Sequence, residues 1–197
     1  SQFNPHFLFN TINTIFFLIH KNPMSASNAL AKFSDLLRFQ LYECNEMQIP
    51  LKNELTYLEN FIELQKLRVN KNVEISLTVD SKPLHQLAIA PFVLITFTEN
   101  AFKHLSEYSD KTNWIKITAT WVDNDFEFNI SNSVDTFKKK EVMSYGGLGL
   151  KNIKRRLDLI YPKEYQMDIL DGADSFEVRL NLKLTEISET PVMHKSA

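Results

Sequence analysis

A single cysteine, Cys44, among 197 residues allows no internal disulfide and no cysteine-based metal centre. That usage suits a reducing compartment. Neither sign of charge is in excess. With 22 Lys and Arg against 24 Asp and Glu, the net charge is -2 and there is no footprint for direct nucleic-acid binding. The one basic run, Lys138-Lys139-Lys140, reads as a local solvated loop. No apolar stretch reaches the roughly 20 residues that cross a bilayer, and no signal peptide is visible. Glycine is scarce as well, at four residues. Walker A, the protein-kinase glycine loop and the HRD and DFG signatures are all absent, which excludes the common nucleotide cradles. Apolar content of 44% is ample for a core, in one large domain or two small ones.

The order of patterns along the chain predicts α+β. Asn4-Pro5 has the form of a helix cap with proline at the first helical position. Phe7, Leu8, Ile12, Ile15, Phe16 and Ile19 continue at helical spacing until Asn22-Pro23 stops them. Ala26, Ala29, Leu30, Phe33, Leu36, Leu37 and Leu41 mark a second helix. Two helices on a short turn bury only part of their apolar surface. A second copy completing a four-helix bundle, or packing on the rest of the chain, would cover the remainder. Leu51, Leu55, Leu58 and Ile62 give a third helix to about Arg68, followed by an alternating strand at 73–79. A helix opened by Pro91 comes next, then strands at 114–122 and 126–132, and a polar loop over 133–145. A helix at about 150–160 and strands near 166–170 and 175–184 close the pattern. Strands interrupted by helices suggest one mixed sheet covered by helices. The expected divisions are a hairpin at 1–47, an α/β sandwich at 48–185 and a polar tail at 186–197.

Three groups of residues carry chemistry. On the helix opened by Pro91, Glu99, Asn100, Lys103 and His104 share a face, while Leu94, Phe97, Ala101 and Leu105 point inward. A carboxylate, a carboxamide and an ammonium together suit a magnesium polyphosphate, since Mg²⁺ takes one or two hard protein oxygens and leaves the rest to water and phosphate. An amphipathic helix with an i,i+4 Glu-Lys pair would look the same. The second group tips the balance. Three of the four glycines, Gly146, Gly147 and Gly149, fall immediately before a helix, where bare backbone and free N–H groups can approach phosphate. The third is His6, directly after Pro5, with Asn10 one turn on. Asn10 could hydrogen-bond the imidazole and hold one tautomer, leaving the other nitrogen as nucleophile.

The stretch Gln2 to Asn10, Gln-Phe-Asn-Pro-His-Phe-Leu-Phe-Asn, resembles without mismatch the phosphoacceptor box of sensor histidine kinases of the LytS/YehU type. The resemblance continues through Pro50-Leu51, Glu54, Gln65, Arg68, the Glu99-to-His104 box and Gly146-to-Asn152 to Arg156-Leu157, covering nearly the whole chain. It implies a dimerising phosphotransfer hairpin, forming a dimeric four-helix bundle, followed by an ATP-binding domain of the GHKL (Bergerat) fold. His6 would be the phosphoacceptor for ATP. Asn100 would bind Mg²⁺, Glu99 would polarise a metal-bound water, and Lys103 and His104 would contact phosphates. Backbone around Gly147, Gly149 and Leu150 would wrap the triphosphate beneath a lid formed by 133–145. The phosphoryl group would then pass to an aspartate of a response regulator, often one with a LytTR domain. The chain starts inside its strongest motif and is therefore read as the cytoplasmic part of a longer bacterial inner-membrane protein, anchored by an upstream segment. Movement between the two parts is expected at a hinge near 45–50, and an upstream signal could act through the kink at Pro5.

Two positions depart from the family pattern. Where GHKL proteins carry Asp-x-Gly to receive the adenine amino group, this chain has Asn132-Ser133-Val134. An Asn oxygen can still accept that bond, with less charge assistance. The acidic general base that many such kinases place after the histidine is Phe7 here. Neutral imidazole attacks unaided, or Asn10 or a distant carboxylate helps. Two rival functions remain at this stage: a GHKL ATPase without phosphohistidine, and a non-catalytic dimerising scaffold.

Overall fold

The computed structural model describes residues 5–43, 46–69, 72–81, 87–107, 110–135 and 139–187, with the backbone alone described for 139–149. Helix α1 (Pro5–Lys21) begins at Pro5, whose missing N–H costs nothing in a first turn. The partner position Asn4 lies outside the described residues. Asn22 ends one helix and starts the next: its N–H donates to Leu18 O (2.7 Å), and its Oδ1 accepts from Ser25 N (3.1 Å), capping α2 (Pro23–Tyr42). The hairpin joint is therefore one residue long.

The inner stripe of the hairpin, Phe7, Thr11 and Ile15 on α1 with Ala26, Ala29, Phe33, Leu36 and Phe39 on α2, is buried. Part of that burial comes from α3 (Leu51–Lys66). Phe39 stacks on Tyr57 with centroids 4.4 Å apart, and Phe7 lies 4.8 Å from Phe61. Hairpin and α/β part thus contribute to one continuous hydrophobic core. Of the hinge expected near 45–50, residues 44 and 45 lie outside the described residues. Its last two form strand β1 (Ile49–Pro50), paired with β3 (Leu87–Ile89), so that end of the connection is pinned.

The main sheet has the order β2-β4-β5-β7-β6, formed by β2 (Val73–Val79), β4 (Asn113–Val122), β5 (Asp125–Ser133), β7 (Ser175–Lys183) and β6 (Tyr165–Asp171). Only β2 and β4 run parallel. Between them in sequence, β3 leads into α4 (Val93–Lys103). Period-two alternation places Ile115, Ile117, Ala119 and Trp121 on the buried face beside Phe126, Phe128 and Ile130 and beside Val178, Leu180 and Leu182. Helix α4 packs on β5, with Phe97 and Phe128 centroids 6.4 Å apart, and also against α3 and α5 (Lys139–Ile160). The inward face read from the sequence is correct: Leu94, Phe97 and Ala101 are buried, and Leu105 is half-buried.

Three corrections follow from the structure. The polar loop expected over 133–145 is helical from Lys139, so α5 runs through Gly146, Gly147 and Gly149 instead of beginning at about 150. Lys139, Lys140, Glu141 and Met143 are good helix formers, and once a helix is nucleated each added residue brings its own hydrogen bond, which carries it across the glycines. Second, a small sheet β1-β3-β8 was not anticipated. Third, its last strand β8 (Thr185–Glu186) takes Glu186 out of the expected tail by pairing it with Leu87. Residues 188–197 lie outside the described residues. Among the described residues no helix is long and apolar enough to cross a membrane.

Candidate active site

His6 is exposed on the first turn of α1, on the side away from the buried Phe7. The Asn10 Nδ2 lies 3.0 Å from His6 Nε2 and 3.2 Å from Nδ1. An amide nitrogen nearly equidistant from both ring nitrogens cannot sit in the ring plane without striking Cε1. It therefore lies over the ring face. The pair forms as the i,i+4 spacing implies, but with the amide as a stop against the imidazole face, which leaves the in-plane lone pair of the unprotonated ring nitrogen uncovered by Asn10.

The second cluster is on α4. Glu99, Asn100 and His104 are half-buried and Lys103 is exposed. Asn100 Nδ2 is buried without a hydrogen-bond partner, so this amide is held by packing on that side. Burial, and secondarily the Lys103 ammonium, lower the His104 pKa from its ordinary value. Both effects disfavour the charged ring, and His104 can hydrogen-bond a phosphate oxygen. Lys103 supplies the cation. The link back to the histidine end is aromatic: Phe7 meets Phe61, and Phe61 meets Phe102 edge-on at 5.8 Å, next to Lys103.

Asn132, at the end of β5, is 2% exposed. Its Nδ2 donates to Ser133 O (3.0 Å) and His104 O (3.4 Å). Two carbonyls can only accept, so the amide is oriented with nitrogen toward them and Oδ1 away. Ser133 is locked behind it, its Oγ accepting from Ser106 Oγ (2.6 Å) and Trp114 N (2.9 Å). The structure thus joins Asn132 to His104, and Gly147, Gly149 and Leu150 lie in α5, with Leu150 packed against the core. Lys138 lies outside the described residues.

Sequence patterning passed over the residues that hold α4 in place. Glu54 is fully buried on α3, and its carboxylate accepts from Phe92 N and Leu94 N, each at 3.0 Å. Burial pushes its pKa up to about 7 against the pull of those amides and of Arg156. Phe92, the N-cap of α4, has φ of 62°, which is unusual for a bulky residue. A signal for Glu54 was present: it sits on the stripe Leu51, Leu55, Leu58, Ile62, where a charge has no reason to be unless something buried needs it.

Among the described residues no three His, Cys, Asp or Glu side chains come together to hold a metal. A cation here would rely on few protein oxygens and on phosphate, which is the coordination habit of Mg²⁺.

A helical hairpin with an exposed histidine is joined to a helix-covered mixed sheet, and Glu99, Asn100 and Lys103 lie along one helix of that cover. This is the layout that the resemblance to histidine kinases implies. The histidine kinase family profile matches residues 1–73. The sensor protein LytS of Staphylococcus saprophyticus is 27% identical over 98% of this chain and 34% of its own length, and that of Streptococcus mutans 31% identical over 85% and 30%. The histidine kinase domain of the Erythrobacter litoralis blue-light activated kinase superposes with a TM-score of 0.51, at 11% identity, covering 91% of this chain and 96% of that domain. The chain belongs to the LytS-type sensor histidine kinases, and its fold is the α+β GHKL arrangement. It spans about a third of the length of the curated relatives it matches.

Proposed function

We propose that this chain is the kinase core of a two-component sensor: it transfers the γ-phosphoryl group of ATP to His6 and then to an aspartate of a response regulator. The observation that carries the reading is the exposed His6 imidazole with Asn10 over its face, on a hairpin packed against α3, whose Phe61 bridges Phe7 to Phe102 on the helix that bears Glu99, Asn100 and Lys103. A lone pair of one ring nitrogen attacks the γ-phosphorus in line. The N–P bond forms as the bond to the β-γ bridging oxygen breaks, ADP leaves with that electron pair, and the proton on the other ring nitrogen passes to solvent. Catalysis of this type is mostly positioning and charge neutralisation.

Asn100 would hold Mg²⁺ with Glu99 beside it, and the ion when bound would neutralise phosphate charge. Lys103 draws the phosphates by charge, and His104 hydrogen-bonds them. Asn132 offers Oδ1 to the adenine amino group. Its fixed orientation supports ATP binding over the scaffold reading, because the acceptor is preorganised without a formal charge. Gly147 and Gly149 let the backbone close on the triphosphate when the Lys139–Tyr145 segment rearranges. The ATPase reading leaves the His6–Asn10 pair without a use. The test is incubation of the purified chain with γ-labelled Mg-ATP. Label on the protein that is lost in acid and stable in alkali is expected. Steady release of phosphate with no labelled protein would favour the ATPase.

A homodimer belongs to this proposal. Phe9 (68% exposed), Phe16 (67%) and Phe17 (66%) stand in solvent with Ile12 and Ile19 on α1, and Leu30 and Leu41 do so on α2. An apolar face of that extent on two adjacent helices suits the seam of a four-helix bundle. Phe16→Glu is expected to convert the dimer to monomer in sedimentation velocity while leaving the melting temperature of the α/β part nearly unchanged. The response regulator, its LytTR type, and attachment to the inner membrane through an upstream segment with this part in the cytoplasm are proposals resting on the family.

A further inference from the structure

The helix that carries Glu99 and Asn100 does not cap itself. No acidic residue lies in the first turn of α4, and its N-cap Phe92 makes no side-chain capping bond. The segment 90–94 is instead gripped from two other helices. From α3, Glu54 takes the N–H groups of Phe92 and Leu94. From α5, Arg156 Nη2 donates to Pro91 O (2.5 Å), and Tyr161, the residue just after that helix, accepts the Ala90 N–H at its Oη (2.7 Å). The backbone between these grips holds Phe92 in the left-handed region, a conformation that persists for a bulky residue only where its surroundings over-determine it. The Phe92 ring in turn packs edge-on against Phe39 of the hairpin (5.4 Å) and Tyr57 (5.6 Å).

We propose that Glu54 is a positioning residue for phosphoryl transfer: with Arg156 it fixes where α4 presents Glu99 and Asn100, and makes that placement answer to α5. The proposal rests on the kinase reading above. The other half of α5 carries Gly147 and Gly149, so nucleotide bound there acts on the helix that bears Arg156 and leads directly into Tyr161. Their grip on 90–94 passes the movement to α4 and, through Phe92, to Phe39 beside the phosphoacceptor helix. Glu54 is the only one of the three gripping side chains that contacts two backbone amides at once. An ionised carboxylate satisfies both, whereas a neutral carboxyl keeps a proton on one oxygen and releases one amide. The groups facing it are Arg156 from α5, Tyr161 just beyond that helix and Tyr57 from its own helix. Burial drives the carboxyl upward, so this exchange falls close to neutral pH.

The experiment compares the whole chain with Glu54→Gln and the milder Tyr161→Phe, which removes only the hydroxyl bonded to Ala90. Three quantities are read: single-turnover labelling of His6 at saturating Mg-ATP from pH 6 to 8.5, affinity for a fluorescent ATP analogue, and hydrogen exchange over 90–95 with and without Mg-ATP. Glu54→Gln is expected to slow labelling about tenfold, with affinity changed less than about threefold. Its rate profile should lose the limb near pH 7 that belongs to Glu54. Mg-ATP should slow exchange over 90–95 in the parent chain and do so much less in Glu54→Gln, with Tyr161→Phe intermediate. If Glu54→Gln only lowers the melting temperature, with labelling rate, profile and nucleotide-dependent protection intact, the proposal is overturned. Should Glu54→Gln not fold, the Tyr161→Phe protection decides by the same criterion. A parent chain that never labels but shows the protection difference removes the kinase reading and leaves Glu54 as the device that ties α4 to nucleotide.

Discussion

His6→Gln is expected to take up no label from γ-labelled Mg-ATP while binding the nucleotide as tightly as the parent chain. The loss should be complete, because among the described residues no other histidine is placed to act in its stead. His20 is the other histidine of α1, and it lies at the opposite end of that helix, edge-on to Phe16. His104 is half-buried at the C-terminal end of α4, and in the proposed site it would meet the phosphates themselves. A glutamine fills a similar volume on an exposed helical position, so no cavity is opened and no buried partner is stranded. Stability should stay within about 0.5 kcal/mol of the parent. Asn10→Ala tests the neighbour separately. It leaves the nucleophile but removes the stop over the ring face, and a slower rate with labelling retained is the expected outcome. The readout is the ratio of labelled protein to bound nucleotide, which separates failure of chemistry from failure of binding.

Phe97→Ala is expected to have the largest effect on folding, a loss of about 3–5 kcal/mol seen as a lower urea midpoint. Phe97 is buried on α4 and packs on Phe128 of β5, so its ring joins the helix that carries the site to the middle of the sheet. Removing the ring forfeits its transfer from water. It also leaves a cavity between two elements whose backbones are held elsewhere, α4 by Glu54 and β5 by ladders on both sides. Neither can collapse to fill the space. Since a domain holds only about 5–15 kcal/mol in total, this single change takes a large part of it. Leu58→Ala, buried on α3, should be similarly costly. Val122→Ala, at an exposed strand end, should be nearly silent and serves as the control.

Long elements were legible because their periods are long enough to count. The strand read at 73–79 is β2, and the alternation at 114–122 and 126–132 is β4 and β5 to within a residue. The hairpin helices begin and end at Pro5, Asn22 and Pro23, where backbone chemistry leaves little choice. The strands of the small sheet escaped because two or three residues have no period, and Ile49-Pro50 or Thr185-Glu186 acquire their shape only from pairing with distant Leu87–Ile89. The 133–145 segment went astray for the opposite reason. Its polarity resembled a loop, yet polarity says nothing against a helix whose residues have good propensity.

In the site, the His6–Asn10 pair and the shared face of Glu99, Asn100 and Lys103 follow from helical spacing alone. What spacing could not give is orientation. Nothing in the residues 132 to 134 foretells that Asn132 would donate to the carbonyl of His104, because that meeting requires the end of β5 to lie beside the end of α4. Tyr57 and Phe92 were equally silent: an aromatic on a buried stripe reads as core, and here each is core and connection together.

The single-residue joint at Asn22 has a mechanical meaning. Its N–H belongs to the last turn of α1, its carbonyl accepts from Ala26 in the first turn of α2, and its side chain closes that same turn. A joint whose backbone donor, backbone acceptor and side-chain oxygen are all committed has little slack. Twist applied to α1 cannot be absorbed there and must turn α2 with it, as a stiff fork turns when one tine is rotated. The free end of that second tine carries Phe39, stacked on Tyr57 and edge-on to Phe92. Torque entering at the first helix therefore arrives at the threshold of α4 without crossing a flexible link.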